Sequence, residues 1–306
     1  EMTSSLVGSE MCIRDSSYSV SFNSMGGTVS TEKKTARWGS NVIAPVPVRA
    51  GYAFAGWYVD RACTEAFDGT MPAYDITLYA KWDADKVNYT VEHLVEKLDG
   101  SYELYDRQAF TSDTDSQVTP DVKYMEGFSS PETETAIVKG DGSTVIRYFY
   151  KRNVHRFVLK LNNGQPDVEY DYKYGTKINI INPERTGYTF TGWSGTGIDG
   201  TAMDPVITTG STGNRSYTAN WKENSYVIRF IPYGDGTTGS MQDMQLMYTD
   251  KATLSANQFK RTGYTFAGWT KKAGADKLYD DNEIISGLGT ADNEIITLYP
   301  AWTCLL

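Results

Sequence analysis

The residues of this chain that could do chemistry are few and scattered. It holds two histidines, His93 and His155, and three cysteines, Cys12, Cys63 and Cys304. A zinc site gathers about four nitrogen or sulfur ligands at characteristic spacings, which this set does not offer. A Cys63–His93 nucleophile–base pair would need contact between two modules and a third group to orient the base. Cys63 therefore reads as a loop thiol. Its neighbours Thr64 and Glu65 support no thioester pattern. Both histidines fall in expected strands, where a structural or surface role is the simpler account.

The acidic loops Ser112-Asp113-Thr114-Asp115 and Gly234-Asp235-Gly236 invite a calcium reading. Neither has the ligand spacing of about 12 residues that ends in Glu, so solvated turns are expected. Asp281-Asn282-Glu283-Ile284-Ile285 returns eleven residues later as Asp292-Asn293-Glu294-Ile295-Ile296. Paired carboxylates could do acid–base work, but only in a cleft. Each reads better as a polar turn launching an Ile-Ile strand. Gly26-Gly27, Gly195-Thr196-Gly197 and Gly236-Thr237-Thr238-Gly239 lack the Lys-Ser/Thr that a phosphate loop requires. No residue is assigned to catalysis, metal binding or a cofactor. The Trp and Tyr side chains could form a carbohydrate-stacking platform. Their recurrence at equivalent positions favours module cores instead.

That recurrence organises the chain. Gly51-Tyr52-Ala53-Phe54-Ala55-Gly56-Trp57 returns as Gly187-Tyr188-Thr189-Phe190-Thr191-Gly192-Trp193 and as Gly263-Tyr264-Thr265-Phe266-Ala267-Gly268-Trp269. Three copies of one aromatic-glycine heptapeptide mark a repeat architecture. Each copy closes on a second tryptophan, Trp82, Trp221 or Trp302, at spacings of 25, 28 and 33 residues. Fixed ends around a variable middle mark a surface loop. Trp38 has no Trp counterpart (Tyr174 and Tyr248 stand nearest) and is left unexplained.

Alternating Tyr18–Phe22 before Gly26-Gly27 reads as a strand entering a turn. The segments before each heptapeptide, 44–51, 182–187 and 255–263, read as one helical turn. Asn182 and Ser255 are suitable N-caps, Pro183 suits the first turn, and Arg49, Arg185 and Arg261 suit a C-terminal turn. Gly51, Gly187 and Gly263 would then end the helix in the left-handed region. Strict alternation along the heptapeptide puts Tyr52, Phe54 and Gly56 on one face and Trp57 on the other. Gly56 would give clearance to a neighbour. Pro300 implies that the last strand is an edge, at least there. Asp99-Gly100 between alternating runs signals a hairpin.

Composition bounds the function. The chain has 38 Asp and Glu against 29 Lys and Arg, net charge −9. That disfavours nucleic acid or an anionic membrane as partner. No run of 18 apolar residues is present, so no membrane insertion is expected within the chain. Leu6–Ser16 and Cys304–Leu306 read as translated sequencing adapter, which leaves Cys63 as the one native cysteine and excludes a disulfide framework.

The heptapeptides, each closed by an aromatic-x-x-Trp strand, resemble the internalin-type B repeat, or Listeria–Bacteroides repeat. Residues 87–152 depart from the pattern. Their Tyr89-Thr90-Val91-Glu92-His93 opening, Asp-Gly hairpin and aromatic last strand, Val145–Tyr150, resemble the mucin-binding-protein-like domain of Gram-positive surface proteins. Both resemblances imply a β-grasp fold, in tandem on secreted or wall-attached proteins. The expected fold class is thus β-rich α+β: small β-grasp (ubiquitin-like) modules in an elongated array. Expected boundaries are 1–16 (adapter, without a fold), 17–85 (repeat 1), 86–153 (interposed module), 154–223 (repeat 2), 224–303 (repeat 3) and 304–306 (adapter). The short charged junctions 83–86, 151–153 and 222–224 imply closely spaced modules.

The resemblance implies a non-catalytic stalk or spacer of a bacterial surface protein. It would be extracellular, at the cell envelope and monomeric. Its candidate partners are a host glycoprotein, glycan or matrix protein. The alternative is glycan binding by the interposed module or by the loops after each Gly-Trp. The residues expected to carry the fold are Gly51, Tyr52, Phe54, Gly56, Trp57 and Trp82; Gly187, Tyr188, Phe190, Gly192, Trp193 and Trp221; and Gly263, Tyr264, Phe266, Gly268, Trp269 and Trp302.

Overall fold

The computed structural model describes residues 16–305, so the proposed N-terminal adapter lies almost wholly outside the described residues, as does Leu306. Four mixed four-stranded sheets are present, and all share the strand order second–first–fourth–third. In repeat 1 the strands are Ser17–Asn23, Lys33–Arg37, Tyr52–Tyr58 and Ile76–Ala84. The interposed module has Lys86–Glu96, Tyr102–Asp113, Phe128–Ser129 and Val145–Arg152. Repeat 2 has Val154–Lys160, Val168–Lys173, Tyr188–Gly195 and Arg215–Glu223. Repeat 3 has Ser225–Phe230, Met244–Met247, Tyr264–Thr270 and Glu294–Cys304. The chain divides into two units, 1–152 and 153–306, each holding two of these sheets.

First and second strands form an antiparallel hairpin, and first and fourth run parallel at the centre, as in Phe22 opposite Leu78 and Phe230 opposite Leu298. The buried residues alternate as a one-sided sheet requires: Val20 and Phe22 in one strand, Leu78 and Ala80 in its neighbour. Each sheet covers its own apolar cluster. In the interposed module the Asp99-Gly100 turn joins the first two strands as expected, with Gly100 at φ +86°.

The α component of the expected fold is absent: the described residues contain no helix. The expected helical turns at 44–51, 182–187 and 255–263 are extended segments ending in tight turns. Residues 28 and 48 bridge, and Thr238 pairs with Lys260, so this stretch spends its backbone groups on cross-chain bonds. Pro45, Pro47 and Pro183 fit extended chain as well as they fit a first helical turn. Gly51 and Gly187 sit third in four-residue turns closed by Tyr52 N–H to Arg49 C=O and by Tyr188 N–H to Arg185 C=O, each 3.1 Å. Their φ values of +79° and +78° are left-handed as expected, but here serve the third position of a turn because no helix precedes them.

Pro300 lies in a strand that is central, not an edge, but beyond the residues that pair with Ser225–Phe230. Its missing N–H costs no ladder bond there.

Candidate functional site

The heptapeptide carries a β-bulge. Phe54 pairs with Trp82 and Gly56 with Lys81, which leaves Ala55 as the extra residue, and repeats 2 and 3 do the same. The bulge turns the first tryptophan onto the face of the phenylalanine, contrary to strict alternation. Ring centroids of Phe54–Trp57, Phe190–Trp193 and Phe266–Trp269 lie 5.5, 5.5 and 4.9 Å apart, edge to face. Trp193 and Trp269 are fully buried. Gly56, Gly192 and Gly268 have φ of +125°, +120° and +146°, a region closed to L side chains. Clearance is a second reason only at Gly192, where a Cβ would meet Ala202 O at 3.1 Å, and at Gly268, where it would overlap Tyr279 O.

The closing tryptophans tie the sheet to its first loop. Trp82, Trp221 and Trp302 donate Nε1–H to Ser24 O, Leu161 O and Tyr233 O at 2.9, 2.9 and 2.8 Å. Of the first tryptophans, Trp57 donates to Pro45 O and Trp193 to Asn182 Oδ1, each at 2.9 Å. Trp269 Nε1 is buried without a partner among the described residues.

The opening Gly-Tyr of the heptapeptide faces outward, onto the next module of its unit. In unit 1, a Cβ on Gly51 would overlap Gly140 and Thr114, and the Tyr52 hydroxyl donates to Asp115. In unit 2, a Cβ on Gly187 would overlap the Tyr248 ring, and Tyr188 packs edge-on to Tyr248 at 6.1 Å. Arg49, Arg185 and Arg261 stack on Tyr52, Tyr188 and Tyr264 at 3.8, 3.7 and 3.7 Å, which holds each tyrosine in place. A fourth such turn, absent from the heptapeptide pattern, opens the third strand of the interposed module: Gly127 has φ +80° and Phe128 N–H bonds Met125 C=O.

One linking residue staples the junction inside each unit. Asp85 donates its N–H to Gly51 C=O (2.9 Å), and its own C=O accepts from Thr114 N–H (2.9 Å). Asn224 does likewise with Gly187 C=O and Tyr248 N–H, both 2.9 Å. Its side chain accepts from Thr189 Oγ1 (2.5 Å) and donates to Thr290 O (2.7 Å). Asn224 is buried with backbone and side chain both bonded, as a buried amide must be. Asp292 adds bonds to Ser225 N–H and Lys222, and those donors hold its carboxyl below the ordinary range.

Most chemical candidates find structural employment. Thr114 is buried and Asp115 binds Tyr52, so the Ser112–Asp115 loop is junction machinery and not the solvated turn expected of it. Asn282 and Asn293, at φ +61° and +60°, form the two expected polar turns. The Cys63 thiol is directed at the backbone oxygens of Arg61 and Ala80, and Asp60 braces the same loop by accepting from Thr64 and Glu65. His93 lies in another sheet. It is buried between Tyr148 and Tyr150, with Nδ1 2.8 Å from the Tyr150 hydroxyl. That hydroxyl accepts Lys123 N–H and still has its own proton to offer the ring nitrogen. Burial first, then the charge of Lys123, push the His93 pKa down. Beside it Glu92 accepts from Arg107 (2.6 Å) and Arg147 (2.8 Å), which hold its carboxyl below the usual range. Among the described residues no three His, Cys, Asp or Glu side chains gather as metal ligands would.

Repeated sheets of one topology, docked in pairs through Gly-Tyr turns, define a tandem β-repeat protein. Residues 18–81 and 226–299 match the Listeria–Bacteroides repeat domain, and residues 160–225 match the divergent InlB B-repeat domain. Residues 82–159 lie outside both matches. The chain is 27% identical over 302 residues to an Evansella cellulosilytica protein whose name describes it as a membrane protein. A second protein of that organism, named as a Gly-rich membrane protein, is 28% identical over 267 residues. These alignments cover 93% and 82% of this chain but 43% and 29% of the relatives, so the chain spans less than half the length of either. No helix among the described residues is long and apolar enough to cross a membrane.

Proposed function

We propose that the chain is a non-catalytic repeat region of a larger bacterial surface protein, acting as a stalk or spacer and presenting its loops for adhesion. The carrying observation is the junction. Adjacent modules of a unit are joined by a single residue, Asp85 or Asn224, whose backbone is bonded on both sides. A spacer needs such stiffness, since a free linker would let the modules tumble. The relatives' names as membrane proteins support a place at the envelope. The parallel central pair in each sheet supports a reduced β-grasp plan that lacks the helix, and its recurrence in residues 86–153 keeps the mucin-binding-like reading open. An antibody against residues 17–303 should label intact producing cells. Labelling only after lysis would overturn the surface assignment.

A second reading, glycan binding in a loop after Gly-Trp, is favoured by one feature. A cavity of about 310 Å³ opens beside exposed Trp38 and Tyr74, with Phe67 and Asp68 on its wall. Aromatic faces beside a carboxylate suit a sugar ring. A glycan array without signal for the full chain removes this reading.

A further inference from the structure

Trp38 is 40% exposed, and no core in the described residues claims it. Its position in the fold is that of Thr114 and Tyr248. Each of the three directly follows the second strand and donates its N–H back to the residue preceding the first strand, as Tyr174 does to Asn153 C=O in repeat 2. Trp38 bonds Ser16 C=O at 3.1 Å, Thr114 bonds Asp85 C=O at 2.9 Å and Tyr248 bonds Asn224 C=O at 2.9 Å. In the two cases where a Gly-Tyr turn precedes within the unit, Thr114 and Tyr248 press on its glycine. The complementary face stands open in repeat 3. Gly263 has φ +80°, Arg261 is already stacked on Tyr264, and among the described residues nothing lies within 4 Å of where a Cβ would stand.

We propose that the Trp38 face is a docking surface for a repeat module carrying the Gly-Tyr turn, and that Gly263–Tyr264 is the face such a module offers. The occupant is a further module of this kind joined in the same polypeptide, because the staple comes from the linking residue itself. The inference rests on the tandem-module reading and extends it to both outer faces. A sugar platform at Trp38 would need none of this backbone equivalence. A docked module accounts both for an aromatic at a non-core position and for a vacant glycine at its mate.

The test is a tandem chain in which residues 16–306 follow Cys304 of a first copy. This places Ser16 three residues after Trp302, the spacing of Asp85 from Trp82 and of Asn224 from Trp221. Both forms are labelled with 5-fluorotryptophan, and the Trp38 fluorine signal is assigned with Trp38→Phe. The single chain should show one solvent-exposed Trp38 signal. The tandem chain should show two of equal intensity, one of them protected from the solvent isotope shift. Gly263→Asn in the first copy keeps a residue that tolerates positive φ but adds a side chain, and it should return the protected signal to the exposed position. Two exposed Trp38 signals, with the remaining tryptophans superposing on those of the single chain, would overturn the inference. So would a Trp38 signal that titrates with soluble oligosaccharide while staying exposed in the tandem chain. Failure of the tandem-module reading would show separately, as unprotected Asp85 and Asn224 amides in the single chain.

Discussion

Gly187 lies against the ring of Tyr248, so close that a Cβ would overlap Cγ and both Cδ carbons. The glycine belongs to the heptapeptide of repeat 2 and the tyrosine to the hairpin of repeat 3. The feature that marks each repeat is therefore two things at once. Its Phe and Trp build the core of its own module, and in repeats 1 and 2 its opening Gly-Tyr builds the seam to the next.

Gly187→Ala and Gly263→Ala separate these roles. Both positions have φ near +80°, so both substitutions incur the left-handed strain of about 1–2 kcal/mol. Among the described residues only Gly187 has a neighbour to displace, which adds about 1–3 kcal/mol of overpacking. Urea unfolding followed by tryptophan fluorescence should show Gly187→Ala as the more destabilising, and Tyr248→Ser should relieve the difference.

Trp193→Phe and Trp269→Phe should differ although both indoles are fully buried. Trp193 gives up a hydrogen bond to Asn182, whereas Trp269 gives up an N–H that has no partner. With a net worth of about 1 kcal/mol for such a bond, Trp193→Phe should be the costlier by about 1–2 kcal/mol in the same assay.

The pH dependence of the interposed module should follow His93 and Glu92. A histidine whose folded pKa is depressed favours the folded state in its neutral form. Its contribution is therefore complete above the unfolded value of 6.5 and is lost as pH falls from there toward the folded pKa. Glu92, with a depressed carboxylate pKa, contributes above its unfolded value of 4.5 and loses that as pH falls through its folded pKa. Melting of unit 1 should thus weaken first below about pH 6.5 and again below about 4.5. His93→Gln should flatten the upper step and leave the lower one.

Asn224→Ala removes two side-chain bonds and leaves Thr290 O and Thr189 Oγ1 without them at a buried seam. A cost of about 1–3 kcal/mol follows. Hydrogen exchange should show faster exchange at Tyr248 and Thr189, with the repeat 2 core around Trp193 unchanged.

Much of this was legible in the residues. Glycine and aromatic types declare the heptapeptide, Asp99-Gly100 declares its hairpin, and the short charged junctions declare close modules. Three features were not. The bulge at Ala55 adds one residue to an alternating pattern without altering any residue type, so period-two counting sent Trp57 to the wrong face. The expected helical turns rested on Asn-Pro and Arg-x-Gly signals, which serve a positive-φ turn equally well; cross-chain pairing decided between them. The docking position is filled by the aromatics Trp38 and Tyr248 but also by Thr114, so residue type alone does not mark it. The hydrogen bond back to the residue before each first strand shows their equivalence.

The central claim is that the Gly-Tyr turn and its linking residue hold neighbouring modules in one orientation. Residual dipolar couplings on the full chain, collected separately from the sheets of repeat 2 and repeat 3, test it most directly. The account predicts that both sets fit a single alignment tensor, and that Gly187→Val splits them. Two tensors of different magnitude in the unmodified chain would contradict it.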